Sequence, residues 1–224
     1  MINIVTSFFI SKLSRPNIAE RNAELVTALQ RNVESSTVES IHLFVDDEPS
    51  LSKLTEVFAP ALASGKIVVA SKGKQPLYAD FFQYANDTLN GKICMVTNSD
   101  IYIHSCESRL LDNLLGRPVM YALTRHEYDM SCPLINDYHG SHDSFIFQSP
   151  LKISVEGLRF PQNVWGSENK LLAIIYNQNI QILNPCRQIQ IVHLHKSQIR
   201  EENRIWISCH KKENKEVHHP PTIL

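Results

Sequence analysis

The first 125 residues alternate short β-rich segments with segments of helical periodicity, and this alternation restricts the fold more than any other feature. Apolar, β-branched stretches predict five strands, at Ile2 to Phe9, Ile41 to Val45, Ile67 to Ala70, Ile93 to Thr97 and Val119 to Leu123. The intervening segments carry apolar residues at helical spacing and predict helices over residues 18–33, 51–58, 78–89 and 107–115. This alternation predicts an α/β fold with a mixed, mostly parallel central sheet between two layers of helices.

After Arg125 the pattern becomes less regular. Residues 126–142 are polar and predict a loop, and further elements are expected at 145–147 (strand), 167–177 (helix) and 189–194 (strand). A chain with 43% hydrophobic residues is large enough for one substantial core, so we expect one domain over residues 1–210. The charged tail, residues 211–224, is expected to be flexible.

Composition and charge exclude several classes of protein. The net charge is only -1, which argues against nucleic acid as a partner. No run of about 18 apolar residues predicts a membrane span, and the N-terminal stretch has no signal-peptide pattern. The five cysteines are widely spaced and none forms a Cys-x-x-Cys pair, so neither a zinc site nor a disulfide framework is expected and a cytoplasmic location is the simplest one.

Polar residues lie at the carboxyl ends of three of the predicted strands, as Thr6-Ser7, Asp46-Asp47 and Asn98-Ser99-Asp100. In parallel α/β sheets the ligand binds beyond the carboxyl ends of the strands, so the three clusters predict one site at one edge. Oxygen ligands suit Mg²⁺ or Mn²⁺, particularly when phosphates complete the coordination. By itself, the Asn98 to Asp100 motif is more often a strand-terminal turn.

Two histidines, His193 and His195, flank Leu194 in the last predicted strand. Residues two apart in a strand face the same side, so both imidazoles are expected to point one way. Imidazole is a suitable further ligand for Mn²⁺ and a suitable donor to phosphate. A solvated pair, or a pair at the rim of the core, is an equally reasonable interpretation.

Two carboxylates are candidate general bases, Glu168 at the start of a predicted helix and Asp143 before the Phe145 to Phe147 strand. For each the alternative is structural, namely stabilisation of the helix dipole by Glu168 and a loop cap for Asp143.

Several cations lie where a phosphate could bind. Arg125 closes the fifth strand, and Lys72 and Lys74 precede the aromatic helix that begins at Tyr78. A surface salt bridge is the alternative for Arg125, and a place in the core is the alternative for most of the aromatic residues. The chain contains neither a P-loop nor a Gly-x-Gly-x-x-Gly motif.

These pieces, in this order, resemble small GT-A-fold glycosyltransferases of the type found in large algal (chlorella) viruses, bacteria and plants. The resemblance extends from about residue 3 to about residue 200. The segments that carry it are Thr6-Ser7-Phe8, Glu20-Arg21-Asn22-x-Glu24-Leu25, Tyr78-x-x-Phe81-Phe82-x-Tyr84-Ala85-Asn86, Asn98-Ser99-Asp100-Ile101-Tyr102, Arg125-x-Glu127, Ser141 to Phe147, Gly166-Ser167-Glu168-Asn169, Asn184-Pro185 and His193-Leu194-His195.

The resemblance implies a nucleoside diphosphate sugar, with UDP favoured, held by Mn²⁺ or Mg²⁺ at an Asp-x-Asp position. Asn98 replaces the first acid of that motif, so Asp100 is the expected carboxylate ligand, together with His193 or His195. Glu168 is the implied base and Asp143 is the alternative. The nucleotide base is expected near Thr6, Phe8 and Asp46. The remaining expected donor-binding residues are Arg21, Lys74, Tyr78, Asn86, Asn98, Ser99 and Arg125.

The activity that follows is transfer of a hexosyl or deoxyhexosyl group to a saccharide hydroxyl, with inversion favoured. A nucleotidyltransferase is a weaker alternative, because residues 10–17 after the first strand contain no glycine. A non-catalytic or decayed sugar-nucleotide-binding domain is a second alternative, and Asn98 is the residue that supports it.

Overall fold

The computed structural model describes residues 1–132, 141–162, 164–197, 199, 207, 222 and 224. The expectations for residues 133–140 of the predicted loop and for residues 211–221 and 223 of the tail lie outside the described residues. The strands are β1 Ile2–Phe8, β2 Val38–Val45, β3 Ile67–Lys72, β4 Ile93–Thr97, β5 Ile101–Cys106, β6 Val119–Leu123, β7 His126–Glu127, β8 Ser144–Gln148, β9 Gln181–Leu183 and β10 Ile189–His193. The α-helices are α1 Ile18–Glu34, α2 Glu48–Ala63, α3 Tyr78–Thr88, α4 Arg109–Asp112 and α5 Ser167–Tyr176.

The central sheet has, within the described residues, the strand order β3-β2-β1-β4-β8-β6-β9. All neighbouring strands in it run parallel except β8, which is antiparallel to both β4 and β6. The predicted mixed, mostly parallel sheet is therefore confirmed. A smaller sheet of order β5-β10-β7 lies beyond β4 in the chain and carries the histidine strand β10.

Apolar side chains form one cluster on each face of the central sheet. The first contains Leu29 of α1 and Leu54 and Phe58 of α2. The second contains Phe81 and Phe82 of α3 and the apolar residues of α5. The fold is therefore a sheet between two helical layers, as the alternation of elements predicts.

The turn from β2 into α2 separates the roles of two adjacent aspartates. The Asp47 side chain accepts a hydrogen bond from the backbone N–H of Ser50 at 2.9 Å and caps α2. Asp46 is left at the carboxyl edge of the sheet. Among the described residues, no helix has the length and apolar character that a membrane-spanning segment requires.

Candidate functional site

The carboxyl ends of β1, β2 and β4 meet at one edge of the sheet. Phe8 of β1 pairs with Val45 of β2, and Val5 pairs with Val96 of β4. Polar residues at the ends of β1 and β4 are in direct contact, because the hydroxyls of Ser7 and Ser99 lie 2.7 Å apart. The sequence-based expectation of a single edge is thereby met in the structure.

Asp100, His193 and His195 form a buried cluster at this edge. Their potential ligand atoms all lie within 4.8 Å of one another. Asp100 Oδ2 lies 3.2 Å from Nε2 of His193 and 3.9 Å from Nδ1 of His195. The structure thus brings together the three residues that the sequence singles out as candidate metal ligands.

The pairing of β5 with β10 builds this cluster. In the antiparallel register His193 lies opposite Ile101, the residue after Asp100. The backbone N–H of Leu194 then donates to the carbonyl of Asp100 at 2.8 Å, which holds the segment beyond β10 against the end of β4. His195 lies just outside the strand but remains on the same side as His193.

The donor set fits a divalent transition ion. One carboxylate and two imidazoles suit Mn²⁺ better than Mg²⁺, which prefers oxygen ligands. His195 Nε2 lies 2.9 Å from the carbonyl of Ile199, a contact in which it donates, so Nδ1 faces Asp100 as the acceptor nitrogen. Burial and the charge of Arg21 lower the pKa of His195 to about 4, which keeps its imidazole in the neutral form that a metal requires.

Glu127, which sequence analysis left without a role, supports His193. Its Oε2 lies 3.5 Å from His193 Nδ1, while Nε2 of the same ring faces Asp100. A carboxylate behind a metal-binding histidine orients the ring and raises its basicity. Burial lowers the pKa of His193, but Asp100 and Glu127 outweigh burial and raise it to about 9. The sequence did contain an indication that Glu127 belongs to the site, since Arg125-x-Glu127 is one of the segments that carry the family resemblance.

Arg21 reaches the cluster from α1. Its Nη2 donates to Asp100 Oδ2 at 2.7 Å, and its Nη1 donates to the carbonyl of Leu194 at 3.1 Å. Burial alone raises the pKa of Asp100, but His193 and Arg21 together hold that pKa well below its ordinary range. Arg21 therefore contacts the candidate metal ligand directly.

Asp143 is fully engaged by neighbouring donors. Its carboxylate accepts from Arg125 at 3.1 and 3.3 Å, from Ser141 at 3.0 Å and from the Asn98 amide at 3.1 Å. The charge of Asp143 in turn raises the pKa of Arg125 above its ordinary value. Asn98 and Arg125 are both expected to contact the nucleotide sugar, but in the structure their N–H groups donate hydrogen bonds to Asp143. Arg125 also binds Glu127 at 2.9 Å.

Glu168 lies in the first turn of α5 in a very different environment. Burial, reinforced by the nearby charge of Asp143, raises the pKa of Glu168 to about 7. A carboxyl group with that pKa is half ionised at neutral pH and can accept a proton from a hydroxyl. Gly166, whose φ of 80° lies in the left-handed region, begins the helix at this point.

Asp46, directly after β2, has a carboxylate oxygen that is buried at the same edge of the sheet. Its Oδ1 is buried and, among the described residues, has no hydrogen-bond partner. Burial, together with the charge of Asp47, raises its pKa to about 6. Thr6 lies on β1, the strand next to β2, but its hydroxyl donates to the carbonyl of Thr97 at 2.7 Å and so holds β1 to β4.

Four residues expected at the donor have other contacts. Phe8 is buried against Phe58, and Tyr78 has no exposed surface, so neither offers a face on which a base could stack. Lys74 is an exposed partner of Asp80 at 3.8 Å. Asn86 bonds both backbone groups of Leu151, just beyond the strand end Gln148 that pairs with Ile93, which is the opposite edge of the sheet. Periodicity could not reveal this, because it does not show which edge a helix end approaches.

Comparison with known proteins identifies the fold class. No protein-family model matches the chain, and neither does any curated protein. The structure is similar to the crystal structure of GalNAc-T7 with UDP, GalNAc and Mn²⁺, with a TM-score of 0.57 at 10% identity over 95% of this chain and 46% of that one. It is also similar to the mannosyltransferase PcManGT from Pyrobaculum calidifontis in complex with GDP-Man and Mn²⁺, with a TM-score of 0.55 at 13% identity over 86% of this chain and 56% of that one.

The chain therefore has a GT-A-type fold, as the resemblance implies. It spans about half the length of these two solved proteins. At such low identity the likeness establishes the fold alone, and function has to be argued from the site.

Proposed function

We propose that this protein is a Mn²⁺-dependent glycosyltransferase that moves a sugar from a nucleoside diphosphate sugar to a saccharide hydroxyl. The observation that carries the proposal is the Asp100, His193 and His195 cluster at the carboxyl edge of a GT-A-type sheet. Both similar structures contain Mn²⁺ with a uridine or guanosine nucleotide, which supports the choice of metal and donor class.

Asp100 and the two histidines would hold the ion, and Glu127 would keep the His193 ring in place. When bound, Mn²⁺ supplies positive charge that stabilises the leaving diphosphate. Asp46 is proposed to accept a hydrogen bond from the nucleotide base or ribose, because its buried Oδ1 otherwise has no partner among the described residues.

Glu168 is proposed as the base that takes the proton from the acceptor hydroxyl. Its raised pKa of about 7 suits that role, whereas the carboxylate of Asp143 is already occupied by four hydrogen bonds. Asp143 instead positions Arg125 and Asn98. One base without a second nucleophile favours inversion at the sugar carbon, and a hexosyl or deoxyhexosyl group remains the proposed cargo.

The direct test is nucleotide release. The protein is incubated with Mn²⁺ and a panel of UDP-sugars and GDP-sugars, with and without simple saccharide acceptors, and free nucleotide is measured. We expect acceptor-dependent release with one donor class, and we expect Asp100→Asn to abolish it. Asp112→Asn is the matched control, because Asp112 is an exposed aspartate in α4.

Two results would count against the proposal. Undiminished turnover by the Asp100→Asn variant would exclude the metal centre. Tight nucleotide binding without any release across the panel would favour the alternative of a non-catalytic sugar-nucleotide-binding domain.

A further inference from the structure

Arg21 contacts the same oxygen atom of Asp100 that faces both candidate histidine ligands. Its Nη2 lies 2.7 Å from Asp100 Oδ2, the same atom that lies 3.2 Å from His193 and 3.9 Å from His195. The Arg21 residue is only 9% exposed, so solvent screens its charge weakly. A divalent ion held by these three residues would therefore bind beside a buried guanidinium.

No second acid compensates for that cation among the three clustered ligands. The first position of the Asp-x-Asp motif is Asn98, and its amide donates to Asp143. Glu24 balances part of the charge of Arg21 through Nη1, whereas Nη2 is directed to Asp100. Glu24 accepts from Arg21 at 3.2 Å and from the backbone and hydroxyl of Ser197 at 2.7 and 2.8 Å.

Glu127, a further acid that faces the cluster, is shared between Arg125 at 2.9 Å and His193 at 3.5 Å. The free ion thus meets one carboxylate, whose Oδ2 already accepts a hydrogen bond from Nη2 of a buried arginine. Like charges a few ångströms apart repel strongly in a partly buried site. A nucleoside diphosphate brings two or more negative charges and reverses this balance.

We propose that Arg21 makes divalent-ion binding depend on the nucleotide, so that the ion is held tightly only together with a nucleoside diphosphate. This inference rests on the proposed function and deepens it by assigning Arg21 to the order of binding. By linkage, the ion raises the affinity for the nucleotide by the same factor.

A purely structural role for Arg21 predicts the opposite result. Arg21 also holds Leu194, the residue between the two histidines, through its carbonyl at 3.1 Å. If Arg21 served only to fix that segment, its loss would disorder His195 and weaken ion binding under all conditions. If it opposes the free ion, its loss strengthens nucleotide-free binding. The sign of the change therefore separates the two roles.

The experiment is a Mn²⁺ titration in which electron paramagnetic resonance measures the free ion, without nucleotide and with saturating UDP or GDP. For the natural protein we expect the nucleotide to tighten Mn²⁺ binding at least about tenfold. Arg21→Met, which keeps the length of the apolar stem, is expected to tighten nucleotide-free binding by about tenfold and to reduce the effect of nucleotide. Arg21→Lys keeps the charge and should behave like the natural protein.

Two controls keep the result interpretable. Asp100→Asn reports the Mn²⁺ that UDP or GDP binds in solution, which is subtracted. Arg21→Gln is neutral but can still donate to Asp100, so it decides the question if thermal unfolding shows that Arg21→Met has not folded.

The possible outcomes separate this inference from the proposed function. Equal Mn²⁺ affinity with and without nucleotide in the natural protein, or weaker nucleotide-free binding in folded Arg21→Met and Arg21→Gln, overturns the role of Arg21 but leaves the metal centre intact. Absence of protein-dependent Mn²⁺ binding with either nucleotide overturns the proposed function as well.

Discussion

At the level of single residues, the environment separates two carboxylates that the sequence left as alternatives. Asp143 is surrounded by donors from Arg125, Ser141 and Asn98. Glu168 is half-buried near the charge of Asp143, and its pKa is raised to about 7. The carboxylate therefore has a structural role in Asp143, where it holds neighbouring side chains in place, and is a candidate base in Glu168.

Substitution of Glu168 by Gln is expected to reduce kcat for transfer by about 100-fold or more while donor binding persists, because the amide cannot accept a proton. In the natural protein the rate should rise with pH through a midpoint of about 7, since only the ionised form of Glu168 acts as the base. Steady-state rates from pH 5.5 to 8.5 measure this.

Asp143→Asn provides the comparison for that profile. Because the charge of Asp143 raises the pKa of Glu168, its removal should move the midpoint to lower pH. A Glu168→Gln variant with full activity, or an unchanged midpoint in folded Asp143→Asn, would contradict these assignments.

Asp46 offers a prediction about stability. Burial raises its pKa from 3.8 to about 6, so the folded protein holds the proton more tightly than the unfolded chain does. The free energy of unfolding should therefore decrease as pH rises from about 4 to 6, by about 1–2 kcal/mol from this partly exposed residue. Asp46→Asn should remove that part of the pH dependence, raise stability at pH 8 and weaken nucleotide binding. Urea denaturation at pH 4.5 and pH 8 compares the two proteins, and identical pH dependence in both would exclude Asp46 as the cause.

At the level of secondary structure elements, the junction before α5 depends on Gly166. Its φ is 80°, and a Cβ atom there would lie 2.6 Å from the backbone carbonyl oxygen of Ile207. Both features exclude a side chain at the position that sets the start of the helix carrying Glu168. The local sequence Trp165-Gly166-Ser167-Glu168 is therefore constrained by the backbone as well as by chemistry.

Gly166→Ala is expected to lower the free energy of unfolding by at least about 2 kcal/mol, from the positive φ and the close carbonyl. Gly65→Ala is the matched control, since Gly65 has a φ of 75° but open space around its Cβ position. That variant should lose only about 1 kcal/mol. Urea denaturation measures both losses, and equal losses would mean that the contact with Ile207 carries no energetic weight.

Most element positions were predictable because local periodicity sets them. The predicted bounds of Ile93 to Thr97 and Val119 to Leu123 coincide with β4 and β6. Three strands were missed, namely β5, the three-residue β9, and the two-residue β7, which lies in the segment predicted as a loop. In β5 the buried residues Ile101 and Ile103 alternate with more exposed ones, a period-two signal that the adjacent motif obscured. The predicted helix over 107–115 is reduced to α4, followed by turns that end at Gly116.

At the scale of the whole molecule, the site joins parts of the chain that fold together only in the complete sheet. Asp100 follows β4, the histidines follow or end β10, and Arg21 comes from α1. Ligands that bind only this assembled state must stabilise the entire domain. Thermal unfolding is therefore a global reporter of donor class.

Mn²⁺ with the correct nucleoside diphosphate, at about 100 times its dissociation constant, is expected to add about 2.7 kcal/mol of stability. For a chain of this length that corresponds to an increase in Tm of roughly 5–10 °C. The comparison of UDP with GDP identifies the preferred nucleotide, and Asp100→Asn should show no Mn²⁺-dependent increase. An equal increase in that variant would mean that the nucleotide binds without the proposed metal centre.

The sequence by itself determined the α/β class, the central strand positions and the edge at which polar residues collect, because periodicity and strand direction are local properties. Only the tertiary structure decided which of those residues meet. Asp100 contacts His193 across 93 positions and Arg21 across 79, and no local pattern specifies such distances. Asn86, Phe8 and Tyr78 show the converse, since their types suited a nucleotide site but packing and edge placement gave them structural contacts. Long-range strand pairing, above all that of β5 with β10, is the physical reason.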